Sequence, residues 1–241
     1  MEPDLANPCT TMLAIETSQR MGSVALAMQG MPVIESSFAC GSREQDLLLP
    51  SVDALLSKAN CSPSELEVVA VSIGPGSFTG LRIATSTAKA LALATGCRLI
   101  GVPSAWGVAE HWYQETGDDG PVLVASAAKA DDCWLTRLER SGSGLVESGS
   151  TGLHRLDHPS DVVRQLCDGA VLVADDFIPK QFIKSCSPLI RGTCQPKYTA
   201  LGCLAAARQL EECGRFTAGG SLEPLYPREP EAVALWRARK A

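Results

Sequence analysis

No apolar run in this 241-residue chain approaches the roughly 20 residues that a membrane-crossing helix requires. The opening residues, Met1-Glu-Pro-Asp-Leu-Ala6, lack the basic start and apolar centre of a secretory signal, so a cytoplasmic location with no membrane contact is expected. No Cys-x-x-Cys pair occurs among the 10 cysteines. That removes the usual zinc spacing and points to reduced, small core residues, with Cys194 or Cys213 as candidates for redox sensing. Basic residues are outnumbered: 21 Lys and Arg against 27 Asp and Glu leave a net charge of −6. Nonspecific nucleic-acid affinity comes mainly from cations neutralising phosphates, so this chain alone is expected to bind RNA poorly. The basic cluster Trp236-Arg-Ala-Arg-Lys240 reads as a solvated C-terminal end.

Catalytic patterns are scarce too. His111 stands beside Trp112 and Tyr113 with no nucleophile-elbow serine or cysteine motif to pair with it, which leaves a hydrolase triad unsupported. His154 and His158 are four residues apart, but Pro159 disfavours a helix at His158 and Asp157 alone stands near them. No catalytic residue and no metal site is therefore assigned.

What is present is glycine in one place. Ile73-Gly-Pro-Gly-Ser-Phe-Thr-Gly-Leu-Arg82 joins an apolar strand pattern to an alanine-rich helix pattern. Gly74, Gly76 and Gly80 around Pro75 imply a tightly shaped loop, because glycine reaches positive φ and lets backbones approach closely. At a helix N-terminus such a loop offers free N–H groups to an anion, and a plain strand-to-helix turn is an equally good reading of the spacing. Dinucleotide and P-loop spacings are not met, since Lys89 comes too late to be a Walker lysine.

Together with Met12-Leu-Ala-Ile-Glu-Thr-Ser18 and Leu99-Ile-Gly-Val-Pro-Ser104, the segment Gly74–Ala84 resembles the TsaB (YeaZ) family of bacterial proteins that take part in making threonylcarbamoyladenosine on tRNA. The resemblance covers about residues 12 to 104 and returns at Pro224-Leu-Tyr-Pro-Arg228. It implies an actin-like ATPase superfamily (ribonuclease H-like) α/β fold, with two lobes that each hold a mixed sheet and helices. It also implies a non-catalytic scaffold that binds and activates a TsaD-like subunit, with a TsaE-like ATPase and tRNA engaged through the assembled complex. ATP and metal are then expected on the catalytic subunit, with no cofactor on this chain. By the same resemblance Glu16, Thr17, Ser18, Gly74, Gly76, Ser77, Thr79 and Gly80 form a vestigial or weak nucleotide cleft. One carboxylate, Glu16, makes a poor magnesium site without substrate phosphates. The alternatives are an ATP-dependent phosphotransferase or ATPase of the same fold and a self-associating homodimer.

Two departures from the family stand out. Ser126-Ala-Ala-Lys-Ala130 replaces an Asp-Ala-Arg-type segment, and Glu44 or Gln45 stands where a histidine is common.

Periodicity predicts a strand meander over 11–17, 23–28 and 32–39, a helix over 44–58, a strand over 66–73, a helix over 81–95, a strand over 98–102 and a helix over 104–115. The second half reads as strands at 121–127, 133–139 and 145–148, a helix at 160–167, a strand at 170–174 and a helix at 199–213. The division expected is an extension at 1–10, lobes at 11–104 and 105–223, and a C-terminal segment at 224–241. Leu48, Val52 and Leu55 share one helix stripe, and Ala84, Ala88, Leu91 and Ala92 share another. The resemblance makes these the partner interface, while packing on the chain's own sheet is the plain alternative. Pro50 is expected to kink the first helix.

Overall fold

The computed structural model describes residues 10–40, 47–128, 132–142, 144–149, 151–156, 160–227 and Trp236. The first half opens with β1 (Met12–Glu16), β2 (Met21–Ala27) and β3 (Ile34–Ala39), followed by α1 (Leu48–Lys58), β4 (Val68–Gly74), α2 (Phe78–Thr95), β5 (Arg98–Pro103) and α3 (Ser104–Thr116). The second half runs β6 (Val122–Ala127), β7 (Asp132–Ser141), β8 (Gly144–Glu147), β9 (Gly152–Arg155), α4 (Asp161–Cys167), β10 (Val171–Ala174), α5 (Lys180–Cys186), β11 (Gly192–Cys194) and α6 (Ala200–Glu212). The expected elements are present, with shifted ends. Three short ones, β9, α5 and β11, carry too few residues for a period to show. Residues 44–46 of the expected first helix lie outside the described residues. Leu47 caps α1, so Pro50 falls in its first turn, where no intrahelical N–H bond is lost, and the expected kink is not needed.

The first sheet has the order β3-β2-β1-β4-β5 and the second β11-β10-β6-β7-β8, with β9 also on β7. In the first, β1–β2 and β2–β3 are antiparallel while β1–β4 and β4–β5 are parallel. In the second, β6–β7 and β7–β8 are antiparallel while β6–β10 and β10–β11 are parallel. The two halves therefore repeat one topology: hairpin strands, a helix, a parallel strand, a helix, a parallel strand, a closing helix. No sequence repeat reveals it, because a strand buried on both faces needs only apolar residues in any order.

The two closing helices, α3 and α6, lie between the sheets. One core cluster joins Met12, Ala14 and Ile100 of the first sheet to Val122, Val124 and Leu138 of the second through Ala109, Leu204 and Ala206 of the helices. The helices cross where Gly107 meets Gly202: a Cβ on Gly202 would strike the Gly107 carbonyl, so only glycine permits this approach. A buried polar chain reinforces the seam. The Leu145 N–H donates to Gln209 at 2.8 Å, and Gln209 Nε2 donates to Glu110 at 2.6 Å.

Two further cores lie on the outer faces, one under α1 and α2 and one under α4 and α5. The first settles where the expected interface residues point. Leu48, Val52, Leu55, Ala84 and Ala88 are buried in it, and Leu91 and Ala92 pack at its margin. The stripes proposed as a partner surface instead seat α1 and α2 on their own sheet, because the alanine side permits close helix-on-sheet contact. Among the described residues no helix is long and apolar enough to cross a membrane.

Candidate functional site

The glycine loop leaves β4 and enters α2 beside the β1–β2 turn, and the two segments are locked together. The Ser77 N–H donates to the Ser18 carbonyl at 2.7 Å, and Thr17 Oγ1 donates to the Gly80 carbonyl at 2.9 Å. A Cβ on Gly76 would lie 2.5 Å from both Ser18 Cβ and the Ser18 oxygen, and one on Gly80 would overlap the Thr17 carbonyl. Only Gly74 of the three takes a positive φ, +103°, with its peptide to Pro75 cis and the Leu225 oxygen close by. Gly76 and Gly80 are thus glycine for backbone proximity, and the left-handed conformation that the motif suggested belongs to Gly74 alone. On the side of Gly76 and Gly80 the loop packs directly on the backbone of residues 17 and 18. Ser77 caps α2, its Oγ accepting the Gly80 N–H at 3.3 Å, so one of the helix's free donors is already used.

Between the halves lies a cleft of about 910 Å³. Thr17, Ser18, Gly76, Ser77, Thr79 and Gly80 line its first-half wall. Ser126, Ala127, Asp175, Phe177 and Tyr198 face them from the second half. Glu16 sits beneath the wall, 2% exposed, with Oε1 accepting the Ser18 N–H at 2.6 Å. Burial pushes its carboxyl pKa up, against the pull of the Ser18 and Ser72 hydrogen bonds. Its hydrogen bond from the Ser18 N–H fastens the turn that follows β1. Asp175 is also pushed up by burial, although the backbone N–H groups of Phe177 and Ile178 draw it down. Among the described residues no three His, Cys, Asp or Glu side chains come together as a metal set. His111 is apart from the cleft, its Nδ1 3.1 Å from Thr199 Oγ1, and burial lowers its pKa. His158 and Asp157 lie outside the described residues.

Asp175, Phe177 and Tyr198 meet the first-half wall only through the fold, while Arg20 lies two residues from Ser18 and Ser126 opens the segment that departs from the family. The segment 224–228 had been tied to the family without a role, and the structure supplies one. The Leu225 N–H donates to the Ile73 carbonyl at 2.6 Å, and Tyr226 stacks on Phe78 at 5.1 Å. Arg82 donates to Tyr226 Oη at 3.0 Å while its guanidinium lies 4.0 Å from the Phe78 ring centre. The C-terminal segment thereby straps the glycine loop from outside, up to residue 227, with residue 228 beyond the described residues.

Comparison with known proteins places this geometry. The family described as TsaD, tRNA N6-adenosine threonylcarbamoyltransferase, matches residues 41–150. The tRNA threonylcarbamoyladenosine biosynthesis protein TsaB of Buchnera aphidicola subsp. Baizongia pistaciae is 34% identical over 178 residues, covering 72% of this chain and 80% of that protein. The chain belongs to the TsaB family. TsaB of Escherichia coli K12 is 31% identical over 58% of this chain and 60% of its own length. Against TsaB of Bacillus subtilis and Haemophilus influenzae the match likewise spans 58% and 54% of their lengths. The fold agrees: YeaZ from Pseudomonas aeruginosa superposes with a TM-score of 0.74 at 22% identity, over 90% of this chain and 99% of that one. The two-lobed actin-like α/β architecture expected from the sequence is the one found.

Proposed function

We infer that this chain acts in threonylcarbamoyladenosine modification of tRNA as a non-catalytic scaffold, docking and activating a TsaD-like subunit. The observation that carries this reading is the internal satisfaction of the glycine loop. Gly76, Ser77 and Gly80 spend their close contacts and hydrogen bonds on Thr17 and Ser18. Glu16 is buried beneath them rather than presented to a ligand. A loop so occupied shapes a rigid first half and has little left with which to polarise a phosphate.

The docking surface moves from the buried stripes to the opposite faces of the same helices. Leu93 on α2 is 89% exposed and Leu49 on α1 is 55% exposed, with Ala90 and Ala94 open beside Leu93. A leucine so exposed gains on the order of 1.5–3 kcal/mol when a partner covers it, enough to anchor an interface of otherwise small side chains. ATP, metal and a TsaE-like ATPase belong to the assembled complex, and tRNA reaches this chain through it. The same outward face also fits self-association, since a patch of this kind pairs with its own copy across a two-fold axis.

Reconstitution tests the reading. The chain and a TsaD-like subunit are each expected to be inactive alone in forming threonylcarbamoyladenosine, while the mixture is active and keeps its activity with Glu16→Gln. ATP turnover by the isolated chain that Glu16→Gln abolishes would overturn the scaffold role.

A further inference from the structure

We propose that Cys167 and Cys186 form a peroxide-responsive disulfide that pins the second-half lip of the cleft. Cys167 ends α4 and Cys186 ends α5, and their Sγ atoms stand 3.0 Å apart. That is only about 1 Å more than the bonded distance of about 2.05 Å, so closure needs a small movement. Both side chains are buried, at 0% and 2% exposed, inside the core that holds α4 and α5 to the second sheet.

The pair is chemically unequal. The Cys167 thiol donates to the Cys186 sulfur, which lowers the Cys186 pKa, with Arg164 adding a favourable charge, and raises that of Cys167. Cys186 is therefore the sulfur that attacks first. Its thiolate displaces one oxygen of hydrogen peroxide, giving a sulfenic acid and, with a proton, one water. The Cys167 sulfur then attacks the Cys186 sulfur, expelling the second water and losing its proton. The two thiols are oxidised by two electrons and one peroxide is reduced to two waters. Peroxide is near the size of water, and a helix of 7 residues such as α5 opens locally more readily than the long helices of the seam.

Placement gives the bond a consequence. The cysteines are 19 positions apart, and the chain between them carries β10 and then the turn with Asp175 and Phe177, both of which line the cleft. Phe177 is 77% exposed there. Closing this loop removes freedom from the segment that forms the lip, and from the unfolded chain as well.

Tryptic mapping reads the bond directly, because residues 165–180 contain Cys167 as their one cysteine and residues 185–191 contain Cys186 as theirs. The full chain is treated with hydrogen peroxide, quenched, unfolded, alkylated and digested. The expected product is the two peptides joined, two hydrogens lighter than their sum, separating on reduction. A reversible rise in Tm of about 5 °C should accompany it and be absent in Cys186→Ala. Recovery of both cysteines as alkylated thiols, or as separate sulfinic acids, would overturn the proposal. The peptide readout uses the unmodified sequence, so it stands even if the alanine variant folds poorly.

Discussion

The two halves share one topology and use it differently. In the first, the helix after the parallel strand is α2, 18 residues long, and in the second its counterpart α5 has 7. In the first, the loop before that helix is sealed onto the β1–β2 turn by Gly76 and Gly80. In the second, the Asp175–Phe177 turn stands open, with Phe177 largely exposed to the cleft. What the halves hold in common is the pair of closing helices at the seam. The difference teaches that the seam is the shared requirement of the fold, whereas the outer helices are free to specialise. The first half has put its extra helix length into a rigid wall and an outward apolar face, and the second has kept short helices over a core with paired thiols.

Breaking the first half's wall has the largest expected effect. Ala88→Glu places a carboxylate in a fully buried position under α2, with a cost of about 4 kcal/mol or more, and the chain is expected to be unfolded or molten by near-UV circular dichroism. A folded variant with parent-like melting would show that α2 does not seat on its own sheet through this residue. At the seam, Gly202→Val forces a branched side chain into the Gly107 carbonyl and should cost about 3 kcal/mol, measured by urea denaturation. Both halves should lose stability in one transition. Separate transitions would contradict the shared core.

A milder test concerns the buried carboxyl behind the sealed loop. Burial raises the folded-state pKa of Glu16 above its ordinary 4.5. The folded chain then holds this proton more tightly than the unfolded one, so the stability it contributes is whole below the unfolded pKa and is lost as pH rises through the folded value. Glu16→Gln keeps an acceptor for the Ser18 N–H and has no charge to bury. Its Tm should fall less than the parent's as the pH rises above the ordinary carboxyl value of 4.5. Parallel curves would mean that Glu16 is not held protonated.

Much of this was legible in the residues, and where it was not, the reasons are physical. The glycine loop announced itself because its chemistry is local: Gly74, Gly76 and Gly80 lie within seven positions of one another. Amphipathic stripes on α1 and α2 were legible as well, but a stripe carries no label for what it faces. Ala84 and Ala88 read the same whether they meet a sheet or a partner, and only the fold decides. The duplicated topology showed only as a repeated order of strands and helices, with no sequence repeat, because buried strands constrain hydrophobicity rather than identity. Phe177 and Tyr198 reach the cleft from segments far from the glycine loop, so no spacing rule could gather them.

The smallest effect on stability tests the central claim, that the inward face of α2 builds the fold while its outward face binds the partner. Leu93→Glu changes a side chain that is 89% exposed, so the isolated chain should melt within about 1 °C of the parent. Titration of a TsaD-like subunit into the same sample should show affinity weakened about tenfold or more, the equivalent of about 1.4 kcal/mol. A variant that melts like the parent and binds the subunit with undiminished affinity would contradict the account.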